Sequence, residues 1–331
     1  MKKVKIPVYI SLLSLVLLIS VIVGLLSGSV IISPLEIFKS LAGFSGDTTV
    51  NNIILEIRLP RVLLALAIGG GLSVVGAVFQ AILRNPLAEP YILGISSGGT
   101  FGAVLSFLIG FTFFGTQVLA FFGAILVVIL VYTLGKRFGE LDPNVLLLSG
   151  VMIGSFFSAA ILLMMTMLEH SLRNAIFWLI GNISLANPTS VYYILPVSIA
   201  ASAILIMNSH KYNLITLGNE EAKHLGLNTG RLKTISYLVS SLLIGAVVSV
   251  SGIIGFVGLL VPHICRMLFG LDNRIVIPAS FLVGGAYLIL ADTLGRTIIS
   301  PAEIPVGAVT ALIGAPVFIY LLKRKIYQGV T

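Results

Sequence analysis

The sequence predicts an all-α integral membrane protein of about ten transmembrane helices, and three observations carry that prediction. Of its 331 residues, 57% are hydrophobic and 10% charged, with a mean hydropathy of +1.11; water-soluble domains carry roughly 25% charge. Between Glu89 and Lys136 lie 46 residues without a formal charge, about twice the ~20 that cross a bilayer as a helix. The apolar runs are also continuous, whereas strands of a membrane barrel alternate apolar and polar positions over ~10 residues.

The elements follow in order. MKKVK and the apolar residues after it resemble a signal peptide in charge, but the apolar stretch is too long and lacks a small-residue cleavage site. Residues 6–28 are therefore expected to be a retained first helix. Hydropathy places further spans near 60–83, 89–109, 113–135, 143–168, 189–208, 234–254, 275–294 and 305–322. Gly110, Gly115, Thr116 and Gln117 supply the turn inside the long uncharged run. Lys2, Lys3 and Lys5 at one end, and Lys323, Arg324 and Lys325 at the other, belong in the cytoplasm by the positive-inside rule. Two cytoplasmic termini require an even number of crossings. The tenth is 255–269, GFVGLLVPHICRMLF, a short span broken by Pro262, tolerable only when buried among other helices.

Threading ten spans puts fifteen of the 20 Lys and Arg residues inside and leaves Lys39, Arg58, Arg61, Arg173 and Arg296 outside. The net charge of +8 thus reflects cytoplasmic loops in contact with lipid headgroups, not nucleic-acid binding. Cys265 is the single cysteine, so no internal disulfide forms. No repeat is visible in the letters, although ten spans can divide into two halves of opposite orientation. Residues 1–331 are read as one transmembrane domain, multi-pass in the cell (cytoplasmic or inner) membrane.

One polar island interrupts this pattern: residues 210–233, HKYNLITLGNEEAKHLGLNTGRLK, on the cytoplasmic side. Asn219 is suited to cap a short helix, with Glu220 and Glu221 in its first turn and Lys223 and His224 in its last. Gly226 stands where a left-handed residue closes a helix. A helix of about six residues is far below the ~12–15 needed for marginal stability alone. Leu214, Leu217, Leu225 and Leu227 are available to hold it, either on its own membrane domain or on a partner. The island's length favours a partner, since a simple crossing needs only a few residues. Asn228 or Thr229 caps the next helix.

Leu217-Gly218, Glu220-Glu221-Ala222 and Leu225-Gly226 look like the coupling loop of ABC importer permeases, whose short helices sit in a cleft of the ATPase. Further blocks occur in order between about 55 and 322. They are Arg58-Leu59-Pro60-Arg61; Gln80, then Arg84-Asn85-Pro86-Leu87-Ala88-Glu89-Pro90 and Leu93-Gly94-Ile95-Ser96-Ser97-Gly98; Gly252, then Gly255-Phe256-Val257-Gly258-Leu259-Leu260-Val261-Pro262-His263, Arg266, Asp272 and Arg274; and Pro301, Glu303-Ile304-Pro305-Val306-Gly307 and Gly314-Ala315-Pro316. Together they resemble the permease family for iron–siderophore, haem and cobalamin uptake. Residues 29–54 match no such block.

The resemblance implies a type II importer subunit that forms the translocation path as a homodimer. It implies two separate ABC ATPase subunits that use the ATP, an extracytoplasmic substrate-binding protein, and no cofactor bound by this chain. The absence of a G-x-x-x-x-G-K-[ST] phosphate loop agrees with a transport subunit that is not itself the ATPase. His170, His210, His224 and His263 are scattered without carboxylates or thiols at ligand spacing, so no metal site is expected. His263 and Arg266 share one helical face, where they either satisfy carbonyls freed at the broken span or take part in gating.

Positive charge outside needs a reason. Arg58 and Arg61 lie at the mouth of the second span and Arg296 at the outer end of the ninth. Either they pair locally, Arg296 with Asp292 four residues before it and Arg58 with Glu56 two before it (a spacing that does not face on a helix), or they form a rim for acidic lobes of the binding protein that the resemblance implies. Ser149, Gly150, Gly154 and Ser158 recur at helical steps, which suits close packing or a wide, weakly polar passage. The resemblance assigns this span to the path, and Asn85 and Leu87 to the inner gate. The alternative class is an ion-coupled secondary transporter. That class needs acids near mid-membrane, whereas Glu89, Glu169, Asp292 and Glu303 are expected at span ends.

Overall fold

The computed structural model describes residues 6–328 apart from 29, 31, 45, 112, 138, 169, 170 and 186. The basic cluster Lys2, Lys3 and Lys5, and also Glu169 and His170, lie outside the described residues. The chain runs α1 (Ile6–Leu26), α2 (Pro34–Leu41), α3 (Thr48–Asn51), a π-helical turn (Asn52–Arg58), α4 (Leu59–Ile82), α5 (Ile95–Leu108) and α6 (Phe113–Leu134). A small hairpin, β1 (Lys136–Arg137) and β2 (Glu140–Leu141), leads into α7 (Pro143–Met165). Then come α8 (Leu172–Ile180), α9 (Val191–Met207), α10 (Ser209–Leu217), α11 (Asn219–His224), α12 (Thr229–Ser251), α13 (Val257–Phe269), α14 (Asn273–Thr297) and α15 (Val306–Gln328). Among the described residues, eight helices are long and apolar enough to span; the shorter apolar helices α5 and α13 bring the count to ten. Ten crossings return the chain to the side on which it starts.

The two short spans have local causes. Pro86 and Pro90 keep the residues before them out of the α region, so turns and a short 3-10 helix, Pro90–Leu93, follow α4, and α5 begins only after Gly94, in the left-handed region at φ +74. On the other side, α12 stops at Gly252 (φ +67), and α13 starts after Phe256, also left-handed. Backbone polar groups freed inside a bilayer need protein partners. They find them here: Asn182 donates its amide to Ser251 O (2.8 Å), Ile254 N–H reaches Tyr91 Oη (3.3 Å), and Phe256 N–H reaches Glu89 Oε1 (2.8 Å).

α4 is the axis of the chain. A side chain on Gly69 would overlap the Gly284 carbonyl of α14, and one on Gly76 would overlap the Gly258 carbonyl of α13. The glycines allow backbone-to-backbone approach where lipid gives no hydrophobic drive for helix association. The turn between α5 and α6 uses Gly110 alone (φ +75). Gly115, Thr116 and Gln117 are already helical, and Thr116 shares a hydrogen bond with Ser106 at 2.7 Å. Within 29–54, α2 is closed by a capping box in which Ser33 and Glu36 satisfy each other's backbone amides.

Candidate functional site

The cytoplasmic island comprises α10, α11 and the first turns of α12. α10 is fixed on its inner face by Tyr212 and Ile215, both fully buried, and Tyr212 Oη shares a hydrogen bond with Ser236 of α12 at 2.8 Å. Asn213 donates to Asp272 (2.7 Å) and accepts from the Asn273 amide (2.8 Å), tying α10 to the start of α14. Hydrogen bonds from Arg274 and then Asn213 hold the Asp272 carboxyl down at about 2.

Gly218, with φ +149, occupies the N-cap position of α11, and Asn219 is the first helical residue rather than the cap. The φ of Gly218 favours glycine at that corner, and the Glu221 carboxylate occupies the space beside it. Glu220 and Glu221 fill the first turn and Lys223 and His224 the last. Gly226 closes the helix at φ +81, with Leu227 N–H donating to Ala222 O at 3.0 Å. Asn228 caps α12 by accepting from the Arg231 amide (2.8 Å). Ala222 is fully buried and seats α11 on its own chain, which removes it from the set of outward contacts. Leu214 and Leu227 are half-buried. Leu217 and Leu225 remain, 63% and 62% exposed.

Asn85 accepts from the Leu87 amide (2.9 Å) in the turn after α4, and Leu87 is exposed. Above it, Gly150, Gly154 and Ser158 of α7 line a groove of about 540 Å³ with Tyr91, Gly94 and Ser97. Gly150 packs against the backbone of Ile92 and Leu93, so close packing and an open groove occur on the same face. Ser149 does not line the groove and is buried on the inner side.

The outer arginines are not a free rim. Arg58 is 4% exposed, turned inward by the π-helical turn, and donates to the carbonyls of Leu25 and Leu26 at the end of α1 and to Val30 O. Arg61 donates to Asp292 (2.9 Å) and Glu303 (3.0 Å). Arg296, 7% exposed, hydrogen-bonds Gly24 O and Thr293 and lies 3.9 Å from Asp292. Isolated charges in a low-dielectric region need such partners. The local-pairing reading is the one this geometry favours, with Glu303 as an added partner.

A model described as the FecCD transport family matches residues 16–324. The chain belongs to the FecCD transport family. It is 39% identical over 322 residues to an uncharacterized ABC transporter permease protein, YvrB, of Bacillus subtilis, covering 93% of this chain and 91% of that one. The hemin transport system permease protein HmuU of Yersinia pestis is 37% identical over 322 residues, covering 95% and 96%. A solved structure described as an inward-facing conformation of a putative metal-chelate type ABC transporter matches with a TM-score of 0.84 at 32% identity, over 96% of this chain and 99% of the other. The FecCD chain is accordingly a multi-pass ABC transporter permease of the inner membrane.

Reading the FecCD chain as letters missed the depth of Glu89. Its neighbour Pro90 packs at Gly258, beside the Leu72 carbonyl midway along α4, which sets this acid level with the middle of α4 rather than with its end. Gln80 was singled out only by resemblance; Arg266 donates to its side chain and to Ala77 O (3.1 Å), joining α13 to α4. That agrees with Arg266 satisfying a carbonyl. Glu140 and Lys233 were not singled out at all, and single charges beside a span gave no signal.

Proposed function

We propose that this permease forms, as a homodimer, the translocation path of an ATP-driven importer of metal chelates, in the class of iron–siderophore complexes, haem or cobalamin. Two separate ATPase subunits dock on α11 and use the ATP, and an extracytoplasmic binding protein delivers the ligand. The observation that carries the reading is a six-residue polar helix seated by Ala222 and flanked by two uncovered leucines, in a chain that matches FecCD permeases almost end to end. Two large apolar side chains held out from an anchored polar helix suit the role of anchors in a partner's cleft. The broad apolar faces of α7 and α15, with Met152, Phe156, Leu312 and Tyr320 exposed, support a second copy alongside the groove. The haem and metal-chelate relatives support a bulky ligand.

Glu89 at mid-depth favours a second reading, ion-coupled secondary transport, although its carboxylate already accepts from Phe256. Uptake of hemin by proteoliposomes holding the permease, its ATPase and its binding protein separates the two. We expect uptake that requires Mg-ATP and persists when ion gradients are collapsed. Uptake driven by a proton or sodium gradient without ATP would select the second reading.

A further inference from the structure

The hairpin before α7 touches the docking helix through one carboxylate. Glu140 of β2 accepts from Lys223 Nζ of α11 at 3.4 Å, and the same ammonium reaches Glu220 at 3.4 Å. The Glu140 stem lies against Gly230 in the first turn of α12, which sets its negative charge at the positive end of a 23-residue helix. Lys233, buried one turn further along α12, is attracted by both Glu140 and Asp142. Glu140, Asp142, Lys223 and Lys233, with Arg137 and Asn219, wall a cavity of about 330 Å³ between the hairpin and the island. Glu140, and Glu220 after it, raise the affinity of Lys223 for its proton, as two carboxylates beside one ammonium should.

Glu140 has a short, stiff connection to α7. Leu141 is 2% exposed, Asp142 caps α7 by accepting from the Asn144 and Val145 amides, and Pro143 opens the helix. On the other side, Lys223 follows the buried Ala222 and precedes the exposed Leu225 by two residues. The ion pair thus bridges the helix that presents the leucines and the helix that carries Gly150, Gly154 and Ser158.

We propose that Glu140 is a positioning residue that passes displacement of α11 to α7 through Lys223, so that the groove-lining helix moves with the docking helix. The proposal rests on the ATP-driven reading above. Both side chains are about half exposed, so the pair adds little to stability and its loss leaves the fold intact.

The experiment uses the full complex with its ATPase, with spin labels at Asn144 in the first turn of α7 and Leu18 of α1, both exposed and outside the face assigned to the second copy; the single native cysteine, Cys265, is buried. The distance change on adding Mg-ATP is measured in wild type, E140K, K223E and the double reversal. We expect each single reversal to shrink the change by roughly 5-fold or more and the double reversal to restore it to within about 2-fold, the scale of a typical coupling energy. If E140K fails to fold, E140Q is expected to show the same loss at wild-type thermal stability, and K223R to keep the response. A full response in E140K and K223E, or in E140Q, overturns the link alone. A wild-type complex that does not respond to Mg-ATP overturns the functional reading and the link with it.

Discussion

The outer and cytoplasmic ends of this permease treat charge and apolar surface in opposite ways. At the outer end, Arg58 and Arg296 are buried and Arg61 nearly so, these three guanidiniums being engaged by Asp292, Glu303 or the carbonyls that end α1, while Arg173 is exposed over the Phe177 ring. At the cytoplasmic end, the charges of α11 face water while Leu217 and Leu225 stand uncovered. Both regions look alike as letters, since each is a polar patch in an apolar chain. The difference is in what each leaves unsatisfied. The outer cluster closes on itself and holds α1, α4 and α14 together, whereas the island leaves apolar surface open on an anchored scaffold.

The sharpest way to break that contrast is Asp292→Ala. It removes the carboxylate that Arg61 and Arg296 share, and stranding buried charge costs about 3–5 kcal/mol. Thermal unfolding of the purified permease should show the loss; a change below about 1 kcal/mol would mean that these side chains face water. A smaller effect sharpens the cytoplasmic side. Asp272 titrates near 2 when folded against an ordinary 3.8, so its contribution is fully present above the unfolded value and is lost as the pH falls through about 2. With Arg274 exposed, we expect about 1 kcal/mol, measured as the difference between wild type and D272N at pH 6 that closes toward pH 2.

Span number, the shortness of the tenth span and the left-handed Gly226 were legible because hydropathy and glycine act locally; the expected break at Pro262 does not occur, since α13 runs unbroken from Val257 to Phe269 with Pro262 inside it. Relative burial was not legible. The spans at 48–82 and 143–165 have nearly equal hydropathies of 2.3 and 2.2, yet 89% of the first window is buried against 28% of the second. Only the glycines of α4, which admit Gly258 and Gly284, hint at the difference. Arg61 and Glu303 are 242 positions apart, and no local pattern joins them. Ala222 entered the docking surface through the resemblance of Glu220-Glu221-Ala222 to a coupling loop, whereas the fold buries it against its own chain. Glu89 read as a span end because hydropathy cannot distinguish a re-entrant turn from a helix terminus.

The most direct measurement is the affinity of the purified ATPase for the permease carrying Leu217→Ala and Leu225→Ala together. If these leucines fill a partner's cleft, binding should weaken by roughly 30-fold or more, the loss of about 2 kcal/mol typical of a truncated anchor, while the isolated permease keeps its thermal stability. Unchanged affinity and unchanged ATP-driven uptake in that variant would contradict docking through the island.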